Sequence, residues 1–341
     1  MKKLSFINKI IYLLNVVVAV LLFLSFVLPF LPPKTFSILA VVNLGVSFLI
    51  IINVVFFLYW VFRLRRQFML SLVALLIGYF SFGSLYKFSS SIKIESPKNI
   101  KVMNYNVRLF NLYQWIPEKG IETKIVDFIK TEDPDVLSFQ EYHPHKNIDL
   151  SFFKYKFEKL SGKRMKYGQA IFSKFPIINS GSIEFPNTAN NAIFADVVKG
   201  KDTIRFYNIH LESLRIDTKV ESLKKEDSER LLKRIGSTFK MQQFQTELFL
   251  KHKKQCKFKM VICGDFNNTA FSYVYRQIKG DLNDTFKEAG NGFGRTYDFK
   301  FFPVRIDFIF ADEAFSVNGF KAFNQHYSDH YPITTTLSLE D

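Results

Sequence analysis

The stretch Val261-Ile-Cys-Gly-Asp-Phe-Asn267 decides how this chain is read, because a β-branched run stops in an acid and an amide. Such a run reads as a buried strand, and alternation sends Asp265 and Asn267 to one face and Phe266 to the other, with Gly264 permitting close backbone approach. Two further runs downstream, Arg305-Ile-Asp-Phe-Ile-Phe310 and Ser328-Asp-His-Tyr-Pro332, repeat the pattern. So do three upstream: Met103-Asn-Tyr-Asn-Val107, Phe139-Gln-Glu141 and Tyr207-Asn-Ile-His-Leu211. Polar groups at the ends of neighbouring strands converge on one sheet edge, as in hydrolytic metal sites. Taken singly, each run is a strand-end cap, an Asx-turn or a satisfied core histidine. Their number and order argue for a shared site.

In that order the six segments resemble the endonuclease/exonuclease/phosphatase superfamily, over roughly residues 100 to 340. Periodicity alone supports an α/β domain; the resemblance implies a four-layer sandwich of two mixed sheets flanked by helices. It also implies hydrolysis of a phosphate ester, which needs a hard cation, a positioned water and a donor for the charge that develops. By resemblance Glu141 is the main metal ligand, Asn106 lies beside metal and phosphate, and Asp329 helps hold the metal or its waters. Mg²⁺ is the expected ion and Mn²⁺ the alternative. Asp265 takes the role of general base, and Asn267 donates to the phosphate or the nucleophile. Asp307 and His330 match the carboxylate and imidazole pair, in which the acid fixes the ring tautomer and raises its pKa so that the ring stabilises the pentavalent phosphorus. His210 matches a second phosphate-facing imidazole. One position departs: abasic-site endonucleases carry an acid two residues beyond the first-motif Asn, where this chain has Arg108. That argues against DNA repair and two-metal geometry and leaves a single-metal scheme intact.

The first 90 residues contain no Asp or Glu and hold three apolar runs, at about 10 to 31, 36 to 62 and 68 to 86. These read as three transmembrane helices, since a span needs about 20 apolar residues. A cleaved signal peptide has one apolar region and does not explain the other two; a buried helical subdomain is the alternative. Lys2, Lys3 and Lys9 precede the first run and Arg63, Arg65 and Arg66 follow the second, whereas the first connection has only Lys34. The positive-inside rule then predicts an integral protein of a bacterial inner membrane, with the catalytic domain on the non-cytoplasmic side. No ionisable residue falls at mid-membrane depth, which argues against a transporter.

Residues 91 to 99 read as a linker and 100 to 341 as the catalytic domain. Strands are predicted at 100–107, 135–141, 169–174, 191–198, 203–211, 258–265, 304–311 and 331–338, and helices at 119–131, within 219–255 and near 271–279. Cys256 and Cys263 read as unpaired, and His143, His145, His252 and His326 as loop, solvated or outer residues. Of the net charge of +15, eight basic residues and no acids fall before residue 90, so the catalytic domain is only modestly basic. That favours an anionic partner, a phosphodiester of lipid or nucleic acid. Nothing calls for an obligate protein partner. The favoured substrate is a lipid head-group phosphodiester, with an extracytoplasmic nuclease and an inactive binding or scaffold domain as rivals.

Overall fold

The computed structural model describes residues 4–82, 85–88, 98–162, 165–215, 228–300 and 302–339. It opens with helices α1 (Phe6–Ser25), α2 (Ser37–Val42), α3 (Val46–Phe62) and α4 (Phe68–Phe82), then the short strand β1 (Lys87–Phe88). Two stretches, Phe6–Phe30 and Ser37–Phe62, are long and apolar enough to cross a membrane. The expected third span is therefore corrected. The 15 residues of α4 make about 22 Å of helix against a hydrocarbon core of about 30 Å, and the chain has entered β1 by Lys87. All three long helices nevertheless share one seam. Asn15 of α1 accepts from Trp60 Nε1 at 3.0 Å and donates to Ser71 Oγ of α4 at 2.6 Å. Uncharged polar groups turned inward in this way suit helices packed in lipid.

The remaining elements are β2 (Asn99–Asn106), α5 (Ile121–Glu132), β3 (Val136–Tyr142), β4 (Tyr155–Ser161), β5 (Tyr167–Ser173), β6 (Ile177–Glu184), β7 (Asn191–Lys199) and β8 (Asp202–His210). They continue with α6 (Ser228–Lys253), β9 (Lys259–Asp265), α7 (Tyr273–Lys279), β10 (Asn283–Asp284), α8 (Thr285–Ala289), β11 (Asn291–Gly292), β12 (Asp307–Ala311), β13 (Phe315–Ala322) and β14 (Ile333–Leu339). Two six-stranded sheets result, in the orders β10-β12-β9-β8-β7-β6 and β13-β14-β2-β3-β5-β4. Each has one parallel pair at its centre, β8 with β9 and β2 with β3, among antiparallel neighbours. Val102, Val136 and Ile333 of one sheet meet Ile193, Phe206 and Val261 of the other in a shared core. Outside, Ile125 and Ile129 of α5 cover the sheet that holds β2 and β3, and Phe249 of α6 with Val274 of α7 covers the sheet that holds β8 and β9. The layers are helix, sheet, sheet, helix, as expected.

Strands β4, β6 and β13 escape the sequence reading, and all three are sheet edges. An edge strand is half solvated, so its apolar alternation is weak: Ile177–Glu184 includes Asn179, Ser180, Gly181 and Ser182. The start of the helical region read within 219–255 falls on residues 216–227, outside those described, as does most of the linker.

The helical bundle is packed onto the sandwich. Phe271 sits among Ala19, Leu22, Leu28, Val46 and Ala74, and Thr269 Oγ1 bonds Asn43 Oδ1 at 3.3 Å. Lys34 donates its backbone N–H to Gln243 of α6 at 2.8 Å and pairs with Glu247. At the far end, Tyr59 near the close of α3 donates to Asn8 near the start of α1, at 2.7 Å. The sandwich and the Arg63–Arg66 turn thus occupy opposite ends of the bundle.

The strand that carries Asp307 is preceded by a buried ion pair. Arg305 forks onto Asp284 at 2.9 and 3.1 Å, Tyr275 donates to the same carboxylate at 2.6 Å, and Phe286 lies under the guanidinium at 4.4 Å. Removing one partner leaves a buried, uncompensated charge. Asp284→Ala is expected to cost about 3–5 kcal/mol, and adding Arg305→Met to recover most of it. Denaturant unfolding of the two variants checks this; equal losses would remove the pair from the fold's support.

Candidate active site

The parallel pairs explain the convergence. Asn106 and Glu141 lie at the C-terminal ends of β2 and β3, and His210 pairs in register with Asp265 at those of β8 and β9. Asp307 opens antiparallel β12 directly opposite Asp265, and His330 precedes β14, whose Ile333 pairs with Asn104. Two details re-aim side chains beyond plain alternation. A bulge between Phe139 and Tyr142 puts Glu141 at φ 49°, a left-handed geometry that costs of order 1–3 kcal/mol and is kept where surroundings impose it. Asn267, also at φ 49°, lies past the strand end, so a turn and not strand alternation brings it beside Asp265. Its N–H donates to Asp265 Oδ1 at 2.8 Å, and its amide to Leu211 O at 3.0 Å. The Asx-turn and the functional cluster are therefore one feature. Gly264 is required where it stands: a Cβ there would lie 2.2 Å from Ile209 O.

Asp265 is the hub. Asn106 Nδ2 donates to its Oδ2 at 3.0 Å, and the Nε2 atoms of His330 and His210 stand 3.6 and 3.7 Å from the same oxygen. Burial pushes the Asp265 carboxyl up, His330 opposes this and Asp307 adds to it, leaving it at about 6. His330 Nδ1 meets Asp307 Oδ2 at 3.0 Å. Burial alone would deprotonate this ring, but Asp307 and Asp265 outweigh it and raise its pKa well above the usual value. His210 goes the other way, since burial dominates and holds it neutral. One carboxylate is thus flanked by a charged and an uncharged imidazole.

Asp265, Asp307 and His330 offer ligand atoms within 4.8 Å of one another, close enough for a metal ion. Both nitrogens of His330 face carboxylates, however, so the ring carries two protons and has no lone pair to give. Glu141 fits a cation better. Among the described residues its carboxylate has one hydrogen-bond donor, Asn106 Nδ2 at 3.5 Å, and burial and repulsion by Asp329 raise its pKa. Asn106 turns its amide nitrogen to both acids while its Oδ1 accepts the Arg108 N–H at 3.1 Å, the posture of a donor that orients carboxylates. Asp329 is engaged by Arg108 at 3.1 Å, whose guanidinium lies over Trp115 at 4.4 Å. Arg108 thus neutralises Asp329, an expected metal residue.

Sequence reasoning passed over a polar bolt beneath the site. Gln140 Nε2 donates to Asn104 and Asn208 at 2.8 and 2.5 Å, joining the two sheets, and Thr296 Oγ1 accepts from Ile306 and Asp307 N–H at 2.9 and 3.1 Å. The quoted motifs contain the first three residues; nothing local marks Thr296. Glu141 and His210 open onto a cleft of about 590 Å³ bordered by Asn187–Asn191, Glu212 and Arg215. His143 and His145 lie apart, beside Glu118 and Glu122, and His326 meets Asp298 at 3.1 Å. His252 is not a solvated helix end as expected, because it packs on Phe194 at 4.9 Å and bonds Tyr207 at 3.2 Å. Both cysteines are free, Cys263 in the core.

A family profile described as the endonuclease/exonuclease/phosphatase family matches residues 103–330. The chain belongs to this family. Its members generally hydrolyse phosphate ester bonds with a divalent cation, and residues 8–85 match a second profile, a domain of unknown function (DUF8431). Among solved structures, the chain is similar to an endonuclease/exonuclease/phosphatase from Beutenbergia cavernae DSM 12333, at 18% identity and TM-score 0.55, over 71% of this chain and 72% of that one. An endonuclease/exonuclease/phosphatase from Bacteroides vulgatus is 18% identical, TM-score 0.54, over 71% and 99%. D. rerio TDP2 with a single-strand DNA product is 16% identical, TM-score 0.51, over 70% and 99%. These likenesses concern the fold. No curated protein matches the chain.

If Asp307 holds the proton on His330, Asp307→Asn lowers the pH at which the ring loses its charge. Imidazole NMR titration is expected to show His330 protonated through neutrality in the parent and an alkaline transition moved to lower pH in the variant. An unmoved transition would assign the charge to Asp265 alone.

Proposed function

We propose that this protein is a membrane-anchored, metal-dependent phosphoesterase that hydrolyses a phosphodiester by attack of water. The observation that carries this is the buried Asp265 carboxylate between one charged and one neutral imidazole, beside the cation-seeking Glu141. Glu141 would hold the ion, Mg²⁺ with Mn²⁺ as the alternative, which when bound neutralises phosphoryl oxygens. Asp265, poised near neutrality by burial, takes the proton of the attacking water. Asn106 and Asn267 fix its two oxygens. The His330 imidazolium faces the oxygen on which charge develops, Asp307 keeps it protonated, and neutral His210 donates a hydrogen bond from the opposite strand.

Glu141→Gln, Asp265→Asn and His330→Ala in the full-length protein are each expected to lower turnover by about 10²-fold or more, with the fold retained, and EDTA to abolish it. Steady-state rates and circular dichroism check this. Full activity in EDTA, or a wild-type rate for Glu141→Gln, would rule out the metal assignment.

The favoured substrate is a lipid head-group phosphodiester, because the sandwich rests on the bundle through Phe271, Thr269 and Lys34 and works within reach of a bilayer. Although α4 falls short of a full span, it carries the chain from the Arg63–Arg66 turn back to the sandwich, where β1 pairs with β11, and the sandwich's position at the bundle end opposite those arginines supports a non-cytoplasmic location under the positive-inside rule. An extracytoplasmic nuclease is the second reading, favoured by the basic balance of the domain and by the DNA product seen with TDP2. A reporter active only outside the cytoplasm is expected to be active after residue 341 and inactive after Arg66. The reverse pattern would put the domain inside and bring forward soluble nucleotide substrates.

A further inference from the structure

A second cavity, of about 400 Å³, lies where the bundle meets the sandwich and takes no part in the site above. Pro29 and Phe30, at the end of the first apolar stretch, form its floor, and Arg276, Lys279 and Lys287 line its wall, with Asp281 as the one acid. Arg276 lies over the Phe30 ring at 4.1 Å. Lys279 Nζ donates to the neighbouring Gly280 carbonyl at 3.1 Å, and Lys253 turns its Nζ to Ile278 O at 3.0 Å, just behind.

None of the three lining cations pairs with a carboxylate among the described residues. Asp284, the carboxylate whose charge acts on Lys287, is engaged by Arg305 and Tyr275. Burial depresses the Lys287 ammonium to about 8, and Arg305, Lys279 and Lys87 add to the effect against Asp284. A protein rarely gathers cations in a recess without an anion to receive. The floor fixes the depth. Phe6–Phe30 is one of the two stretches able to cross a membrane, so its end falls where lipid phosphates lie.

We infer that the Arg276, Lys279 and Lys287 recess at the end of the first apolar helix binds the phosphate of an anionic lipid head group, as an anchoring site separate from the hydrolytic cleft. This rests on the membrane-anchored reading. The bound lipid would fix the height and tilt of the sandwich over the bilayer, with Phe30 against its glycerol region and the three cations around its phosphate.

Full-length protein in neutral detergent is titrated with phosphatidylglycerol or phosphatidylcholine, with adducts counted by native mass spectrometry, and separately with labelled inorganic phosphate by equilibrium dialysis. The expected result is preferential retention of phosphatidylglycerol, weakened roughly 30-fold in Arg276→Gln/Lys287→Gln, with unfolding unchanged. Equal retention of both lipids, unaffected by the double substitution, would overturn the site. Saturable phosphate binding lost in the double variant, without lipid preference, would replace the lipid by free phosphate. Carbonate extraction of membranes separates the two layers of the argument. Release of the parent protein would defeat the membrane reading and leave the phosphate titration to decide the recess alone.

Discussion

A carboxylate taken out of water must be compensated where it sits, and Asp265 is compensated from both sheets at once. Asn106 reaches it from one sheet, while His210 and Asn267 reach it from its own sheet and the turn beyond. Its remaining neighbour, His330, is charged because Asp307 and Asp265 share it. Burial thus leaves Asp265 near the middle of the pH scale, where a carboxylate is a better base than one in water. The sheet-to-sheet packing, the bolt of Gln140, Asn104 and Asn208 and the Thr296 anchor for β12 all serve to hold that one oxygen pair in place.

The same turn ties chemistry to anchor. Four residues past Asn267 the chain reaches Phe271, buried among side chains of α1, α3 and α4, and between them Asn268 donates to Gln242 of α6 at 2.8 Å. Gln242 in turn donates to the Asn267 carbonyl at 3.2 Å. A polar and apolar path therefore runs from the bundle to the hub, and the sandwich is packed directly on the apolar helices.

Much of the fold was legible in the sequence because its central strands are buried on both faces and read as continuous apolar runs, as Val261 to Cys263 do. The edge strands β4, β6 and β13 were not, because half-solvated strands lose that signal. The third apolar run exceeded the helix it forms, since hydropathy registers composition but not where a chain turns to pair with β11. His252 looked solvated among lysines, yet a ring next to charged neighbours can still face inward when its helix packs on Tyr207 and Phe194.

By itself the sequence determined which groups end which strands, because alternation and burial act locally, and its resemblance to the family singled out Asn106, Glu141, His210, Asp265, Asp307 and His330 as a set. Only the tertiary structure decided their division of labour. Charge state depends on through-space neighbours: both imidazoles are buried, but the carboxylates of Asp265 and Asp307 outweigh burial at His330, whereas Asp265 does not at His210. Asn106 faces the acids with its nitrogen because Arg108 N–H claims its oxygen, and Asp329 is taken up by the Arg108 side chain. Except for the local Arg108–Asn106 contact, those facts rest on distances between segments far apart in the chain, which no local pattern encodes.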